Sequence, residues 1–310
     1  MAYRLANIRG FELVLNLDDR ARSSSLWQYC LKPAAHTLGR AAAAAGALAS
    51  LTGSSKPAPQ AAARQVTQAP TPEQQRILDR IKGIEWYHTI DLGNGIQTPG
   101  RFNHIPLLRD YLLPERLDGM RALDVATMNG FWAFELERRG AREVVALDVA
   151  NLGDLDLPPI QRARMTSAEL AVSGGGGGFV AAREILNSKV ERRTMTVYDL
   201  SPETAGKFDF VFVGDLLLHL MNPIQAAANI CQVTSSVAHV VDCFSPYLPK
   251  MTMQYLGAEQ ATWWGISLSA LERILWDAGF KKVELLHKFK APSQPGQPAW
   301  MWRAVFRCTN

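Results

Sequence analysis

The chain carries two kinds of apolar pattern. Beyond Arg121, short continuous apolar runs are separated by stretches in which apolar residues recur every three to four positions. Strands buried on both faces of a parallel sheet read as such runs, and the helices that connect them supply the longer repeat. The runs predict strands at Arg121–Val125, Glu143–Val149, Val190–Val197, Asp209–Val213, Ala238–Phe244, Val283–Lys288 and Met301–Arg307. Helices are predicted near Phe131–Arg139, Phe179–Leu186, Pro223–Val233 and Ser267–Ala278. The last opens on Ser267, sets Leu271, Ile274 and Leu275 on one face and stops at Gly279.

The final two strands have no helix between them. The expected fold class is therefore α/β: a Rossmann-like, seven-stranded, mostly parallel sheet with helices on both faces and a C-terminal antiparallel hairpin. Leu157–Gly178 breaks the alternation and reads as an inserted loop, with Gly174 to Gly178 a flexible approach to the next helix. Upstream, Thr71-Pro72-Glu73 has the form of a helix start, and Ile77 and Ile81 share a face. Residues 53–72, rich in Pro, Ala, Ser and Gln, read as a linker. A strand at Phe11–Leu17 and a helical stretch around Leu26–Leu51 are predicted before it. The chain thus divides into an N-terminal extension and linker, 1–70, and a domain at 71–310.

Composition narrows the function classes. The 310 residues are 47% hydrophobic and 20% charged, ordinary for a globular protein. No apolar run reaches the ~20 residues of a membrane span, and Arg4, Arg9, Glu12, Asp18 and Asp19 interrupt any secretory signal. Cys30, Cys231, Cys243 and Cys308 are scattered without a C-x-x-C pair, against a metal site or a disulfide framework. A cytoplasmic protein with reduced thiols is expected, with a homodimer left open. Residues 1–70 hold eight basic and three acidic residues, +5, whereas the remainder holds 25 and 26, −1. A body built to grip a polyanion would carry a basic surplus, so nucleic acid is disfavoured as its partner.

The chemistry concentrates at predicted strand ends. Leu123-Asp124-Val125-Ala126-Thr127-Met128-Asn129-Gly130 leaves a strand and opens a helix, the turn at which α/β sheets dock nucleoside cofactors. Asp148, with Val149, ends the second strand, where a carboxylate accepts from both ribose hydroxyls. Tyr198-Asp199-Leu200 ends the third and offers a partner to an adenine amino group. Gly214-Asp215 ends the fourth, on the acceptor side. Each aspartate alone is as well explained as a turn former; four at successive strand ends point to a site. A nicotinamide dinucleotide would require G-x-G-x-x-G beside its pyrophosphate, but Ala126 and Met128 stand where two of the glycines would be. S-adenosylmethionine (SAM) carries no phosphate and fits better.

Ile84-Glu85-Trp86-Tyr87-His88-Thr89-Ile90, Gln97-Thr98-Pro99-Gly100, Leu123–Ala141, Asp209–Asn222 and Trp263–Phe280 resemble the bacterial methyltransferases grouped with the tRNA wobble-uridine carboxymethyl/methoxy enzymes. The resemblance runs from about Ile81 to the C-terminus. It implies SAM-type donors and a site beneath the Trp86-Tyr87-His88 segment. The tRNA enzymes have a Tyr-His-Arg-Arg-like run after the fourth strand, which helps hold a carboxylated SAM. Here the run is Leu218-His219-Leu220-Met221, so plain SAM and an acceptor other than tRNA are expected.

The expected activity is methyl transfer to a small-molecule acceptor, with oxygen, nitrogen or sulfur unresolved. The alternatives are a tRNA-modifying methyltransferase using residues 1–70 as its RNA arm, and a non-catalytic SAM-binding module. His219 and Asp215 are candidates to orient or deprotonate the acceptor. For His219 the competing account is a helix-start histidine packed beside Leu217, Leu218 and Leu220. Tyr87 and His88 are candidate lid residues or ordinary packing; Arg101 and His104 are weaker candidates. Trp86, Phe131, Trp132, Trp263 and Trp264 are candidates to wall a sulfonium pocket by cation–π contact, with some of this set in the core. Lys281, Lys282, Lys288 and Lys290 read as a solvated strand edge.

Overall fold

The computed structural model describes residues 2–8, 11–16, 69–172, 174–258, 262–292 and 300–310. They fall in two compact units, Met1–Ala69 and Pro70–Asn310. In the first, β1 (Ala2–Ile8) and β2 (Phe11–Asn16) pair antiparallel, so the strand expected at 11–17 has a partner that the sequence reading did not supply. The helical stretch expected at 26–51 and most of the expected linker lie outside the described residues.

The second unit opens with α1 (Pro72–Ile81), capped by Thr71 and Gln74 in a reciprocal capping box, with Ile77 and Ile81 buried. Then follow β3 (Arg121–Val125), α2 (Phe131–Arg138), β4 (Glu143–Asp148), α3 (Pro159–Arg162), α4 (Ser167–Leu170) and α5 (Gly176–Ile185). After these come β5 (Glu191–Thr194), α6 (Pro202–Ala205), β6 (Phe208–Gly214), α7 (Pro223–Val233) and β7 (Thr234–Phe244). The chain ends with β8 (Met253–Tyr255), β9 (Trp264–Ile266), α8 (Leu268–Asp277), β10 (Lys282–Pro292) and β11 (Trp300–Thr309).

Seven strands form one sheet in the order β10-β11-β7-β6-β3-β4-β5. β5, β4, β3, β6 and β7 are mutually parallel, and β11 enters antiparallel to both β7 and β10. The expected fold class, with its closing hairpin, is observed. Alternation along each strand feeds two cores. Leu123, Val125, Val211 and Val213 pack with Ile230, Leu271 and Ile274 on the α7–α8 side. Ala122, Ala146, Phe210 and Phe212 pack with Ile77, Phe131, Phe134 and Phe179 on the side of α1, α2 and α5. The parallel connections bring the carboxyl ends of β4, β3 and β6, three adjacent strands, to one edge.

Three expectations change. The third strand stops at Thr194, and Val197–Asp199 is a separate turn of 3-10 helix, so Asp199 does not end a strand. The inserted loop at 157–178 contains the single-turn helices α3 and α4. The glycine run is not a flexible approach: Gly176, Gly177 and Gly178 form the first turn of α5, and Gly175 is its left-handed cap at φ 89°. A Cβ on Gly175 would come within 2.7 Å of the Met128 backbone, and one on Gly178 within 2.3 Å of the Asn129 amide. Here glycine is required by close approach. The four lysines of the closing hairpin region are exposed as expected, three of them on the edge strand β10.

Candidate active site

The turn after β3 keeps the backbone of a glycine-rich loop while lacking most of its glycines. Ala126 (φ 65°), Met128 (50°) and Gly130 (95°) are all left-handed. Such backbone costs a residue with a Cβ roughly 1–2 kcal/mol, so neighbouring groups must hold it. The N–H groups of Ala126 and Thr127 donate to the Leu147 carbonyl at 2.8 and 3.1 Å. The Met128 N–H donates to Asp148 Oδ2 at 2.5 Å, and the Val149 N–H to Oδ1 at 2.7 Å. Asp148 therefore braces the turn, the structural role an aspartate here was equally able to play. Each oxygen has accepted one bond, and a carboxylate has about four acceptor positions, so capacity for a ribose hydroxyl is retained. Burial raises the Asp148 pKa to about 6 despite these two N–H donors.

Asp124 lies on the neighbouring strand of the same edge, opposite Ala146. Its carboxylate oxygens are buried with the Thr127 hydroxyl and the Ala133 N–H beside them, and burial, outweighing these two, lifts the Asp124 pKa to about 7. Ala126, Met128, Val149, Tyr198 and Gly214 stay half-buried, while Leu200 is buried in the α7-side core. The adenine-contact expectation for Asp199 is weakened: it is exposed and its Oδ2 accepts from the Thr196 hydroxyl at 2.8 Å, within its own turn. Tyr198 instead donates its hydroxyl to Asp156 at 2.5 Å. Asp156 also accepts the Met221 N–H at 2.6 Å, and its carbonyl takes the Trp263 indole N–H, so the segment between β4 and α3 is tied to the β6 side.

Asn129, inside the motif, joins the Trp-Tyr-His segment to this turn. Its Oδ1 accepts the Tyr87 N–H and its Nδ2 donates to the Gly175 carbonyl at 3.0 Å. The backbone of Tyr87 and His88 is thus fastened to the turn after β3. His88 is buried, with Nδ1 unpartnered, and burial followed by the neighbouring His104 drives its pKa well below the usual value. It is a neutral imidazole packed against Phe131 and His104, a poor proton acceptor.

Across the sheet edge, Asp215 follows β6 in left-handed backbone, φ 49°. Arg303, from β11, grips it with Nε at 2.8 Å and a second nitrogen at 2.7 Å from Oδ2. The Cys243 thiol lies 3.1 Å from Oδ1. Burial by itself would raise the Asp215 pKa, but Arg303, Cys243 and His104 together outweigh it and hold the carboxyl below its usual range. Asp242, next to Cys243, accepts the N–H groups of Leu216 and Leu217 and fixes the turn that carries His219. In that turn Leu217, Leu218 and Leu220 are buried and His219 is exposed, 3.5 Å from the Thr262 hydroxyl through Nδ1. The histidine is presented outward, away from the leucines it might have packed with.

The aromatic expectation needs correction. Trp86, Phe131 and Trp132 are core: Trp132 packs between Tyr111 and Phe212, at centroid distances of 4.4 and 4.5 Å. Trp263 is also buried, and only Trp264 is half-buried. The sequence reading missed Arg303, Asp242 and Cys243, and it ranked His104 low. An arginine within Met301-Trp302-Arg303-Ala304-Val305 and an aspartate within Val240-Val241-Asp242-Cys243-Phe244 were the available signals: charges inside apolar strand runs.

A family model described as a methyltransferase domain matches residues 100–285. Among solved structures, the N-terminal domain of EvdMO1 with SAH and D-fucose superposes with a TM-score of 0.52, 18% identity, and coverage of 76% of this chain and 94% of that one. The same domain with SAH gives 0.53 at 17% identity. Against the whole of EvdMO1 the chain covers 47%, with a TM-score of 0.51. At this identity the likeness concerns the fold. No curated protein sequence matches the chain.

Proposed function

The chain belongs to the methyltransferase-domain family and is a methyltransferase that uses SAM; from that premise we propose that its acceptor is a small molecule. One observation carries the reading: a braced, half-buried nucleoside turn on β3 and β4 shares a sheet edge with the half-buried Asp215 on the adjacent β6. Asp148 would hold the ribose, the Ala126–Gly130 turn the amino-acid portion, and Val149 and Tyr198 would flank the base. When bound, SAM supplies a methyl group already activated on a sulfonium. The protein's work is then alignment and exclusion of water. Tyr87, fixed through Asn129, covers the turn, while Asp215 and the outward His219 face the acceptor side.

The kinship with the tRNA wobble-uridine enzymes is finer than the family match, which is to the broad methyltransferase domain. A donor carboxylate would call for a free buried cation, and the guanidinium at this centre is already paired with Asp215. That favours plain SAM. The test is methyl transfer from methyl-labelled SAM to a panel of small hydroxyl, amine and thioether compounds, with bulk tRNA in parallel. Label in a small molecule and none in tRNA is expected. Label in tRNA that disappears steeply with added salt would overturn the reading.

A further inference from the structure

Asp215 is the group expected to orient or deprotonate the acceptor, and its surroundings bear on which of the two it can do. Arg303 is 3% exposed, and its fork closes on Asp215 through three contacts of 2.7–3.0 Å. Arginine's planar fork matches a carboxylate in a way an ammonium does not. The Cys243 thiol, which burial keeps protonated, adds a donor from β7. The other groups facing this carboxylate are Tyr87 and His104 from the 86–104 segment, Tyr111 beyond them, and Asp242 on β7. The Asp215 side chain nevertheless keeps 25% of its surface exposed. It is charged, oriented from behind and open in front.

We propose that Arg303 is a positioning residue that locks Asp215 as a permanently ionised hydrogen-bond acceptor, so that the site takes an acceptor bearing an O–H or N–H, a hydroxyl or an amine, and not a thioether. The proposal rests on the methyltransferase reading for the acceptor class, but not for the state of Asp215. A carboxylate kept this acidic is a weak proton acceptor near neutrality; it orients by accepting a hydrogen bond. Arg303 itself touches neither cofactor nor acceptor in this role.

The experiment is a pH titration of the full-length protein labelled with carbon-13 at the aspartate side-chain carboxyls. The Asp215 resonance is assigned by its loss in Asp215→Asn. In the parent it should titrate below the ordinary carboxylate range. In Arg303→Met, with the largest opposing charge removed, it should move up by roughly one to three pH units. Arg303→Lys, which keeps the charge and loses the fork, should fall between. An ordinary pKa in the parent, or no movement in either variant, overturns the positioning role. Should Arg303→Met fail to fold, the parent and Arg303→Lys decide. In the labelled-methyl panel, a thioether methylated as fast as the hydroxyls and amines overturns the acceptor class. Failure of the methyltransferase reading itself is distinguishable: SAH would not bind and nothing would be labelled, while the carboxyl titration stood.

Discussion

The two halves of the site are built on opposite plans. The β3–β4 half is local: Asp124, Ala126–Gly130 and Asp148 lie within 25 consecutive residues, and backbone N–H groups provide its bonds to Asp148. The β6 half is assembled from far apart, with Arg303 clasping Asp215 across 88 residues. The contrast extends to charge. Burial raises the carboxyls of the first half, Asp124 to about 7 and Asp148 to about 6. A paired guanidinium lowers the one on the second, Asp215, against the upward pull of its own partial burial. One half takes its hydrogen bonds from neighbouring backbone N–H groups; in the other a carboxylate is held from behind by an ion pair.

That comparison can be broken at several points. The largest effect is expected at Asp215→Asn. It removes the ionised acceptor and leaves the Arg303 charge buried and unmatched, so turnover should fall by roughly 100-fold or more. SAH affinity, measured alongside, should change little; equal loss of both would dissolve the division into halves. Next is pH. Below the Asp148 pKa of about 6, a proton competes with the ribose, and SAM affinity should drop about tenfold per pH unit. Because Asp124 in the same half titrates at about 7, affinity should level off only above that value. Since Asp215 titrates lower, the acid loss belongs to the cofactor half, and affinity constant from pH 7 to 4.5 would contradict it.

The smallest effect tests the turn. Ala126→Gly relieves left-handed backbone, which offsets the glycine's greater entropy in the unfolded chain, so stability should hold or rise by up to about 1 kcal/mol. The same exchange at Ala133, inside α2, should lose about 1 kcal/mol. Thermal unfolding of the two variants checks the sign, and a destabilised Ala126→Gly would mean that packing rather than glycine-like backbone sets this turn.

The local half was readable because its signals sit in one stretch. Apolar runs placed β3, β4 and β6 within a residue or two, and the spacing of Asp124 and Asp148 marked the edge. The non-local half was not, since nothing in Trp302-Arg303-Ala304 says which carboxylate it will meet; that follows from β11 pairing with β7 in register, Arg303 opposite Cys243. Patterning also misread the glycine run at 174–178. Glycine serves both freedom and close approach, and only the contact with Met128 and Asn129 tells them apart. The tryptophans failed for a related reason: Trp132 packs between Tyr111 and Phe212, which come from other parts of the chain.

The central claim is that the tips of β3 and β4 grip a nucleoside through Asp148. Titration calorimetry of SAH into the parent protein and into Asp148→Ala at pH 7.5 tests it most directly. Binding to the parent, weakened roughly 10- to 100-fold in the variant, about 1.5–3 kcal/mol for lost charge-assisted hydrogen bonds, is the expected result. Equal affinity in a variant that remains folded would show that Asp148 only braces the turn.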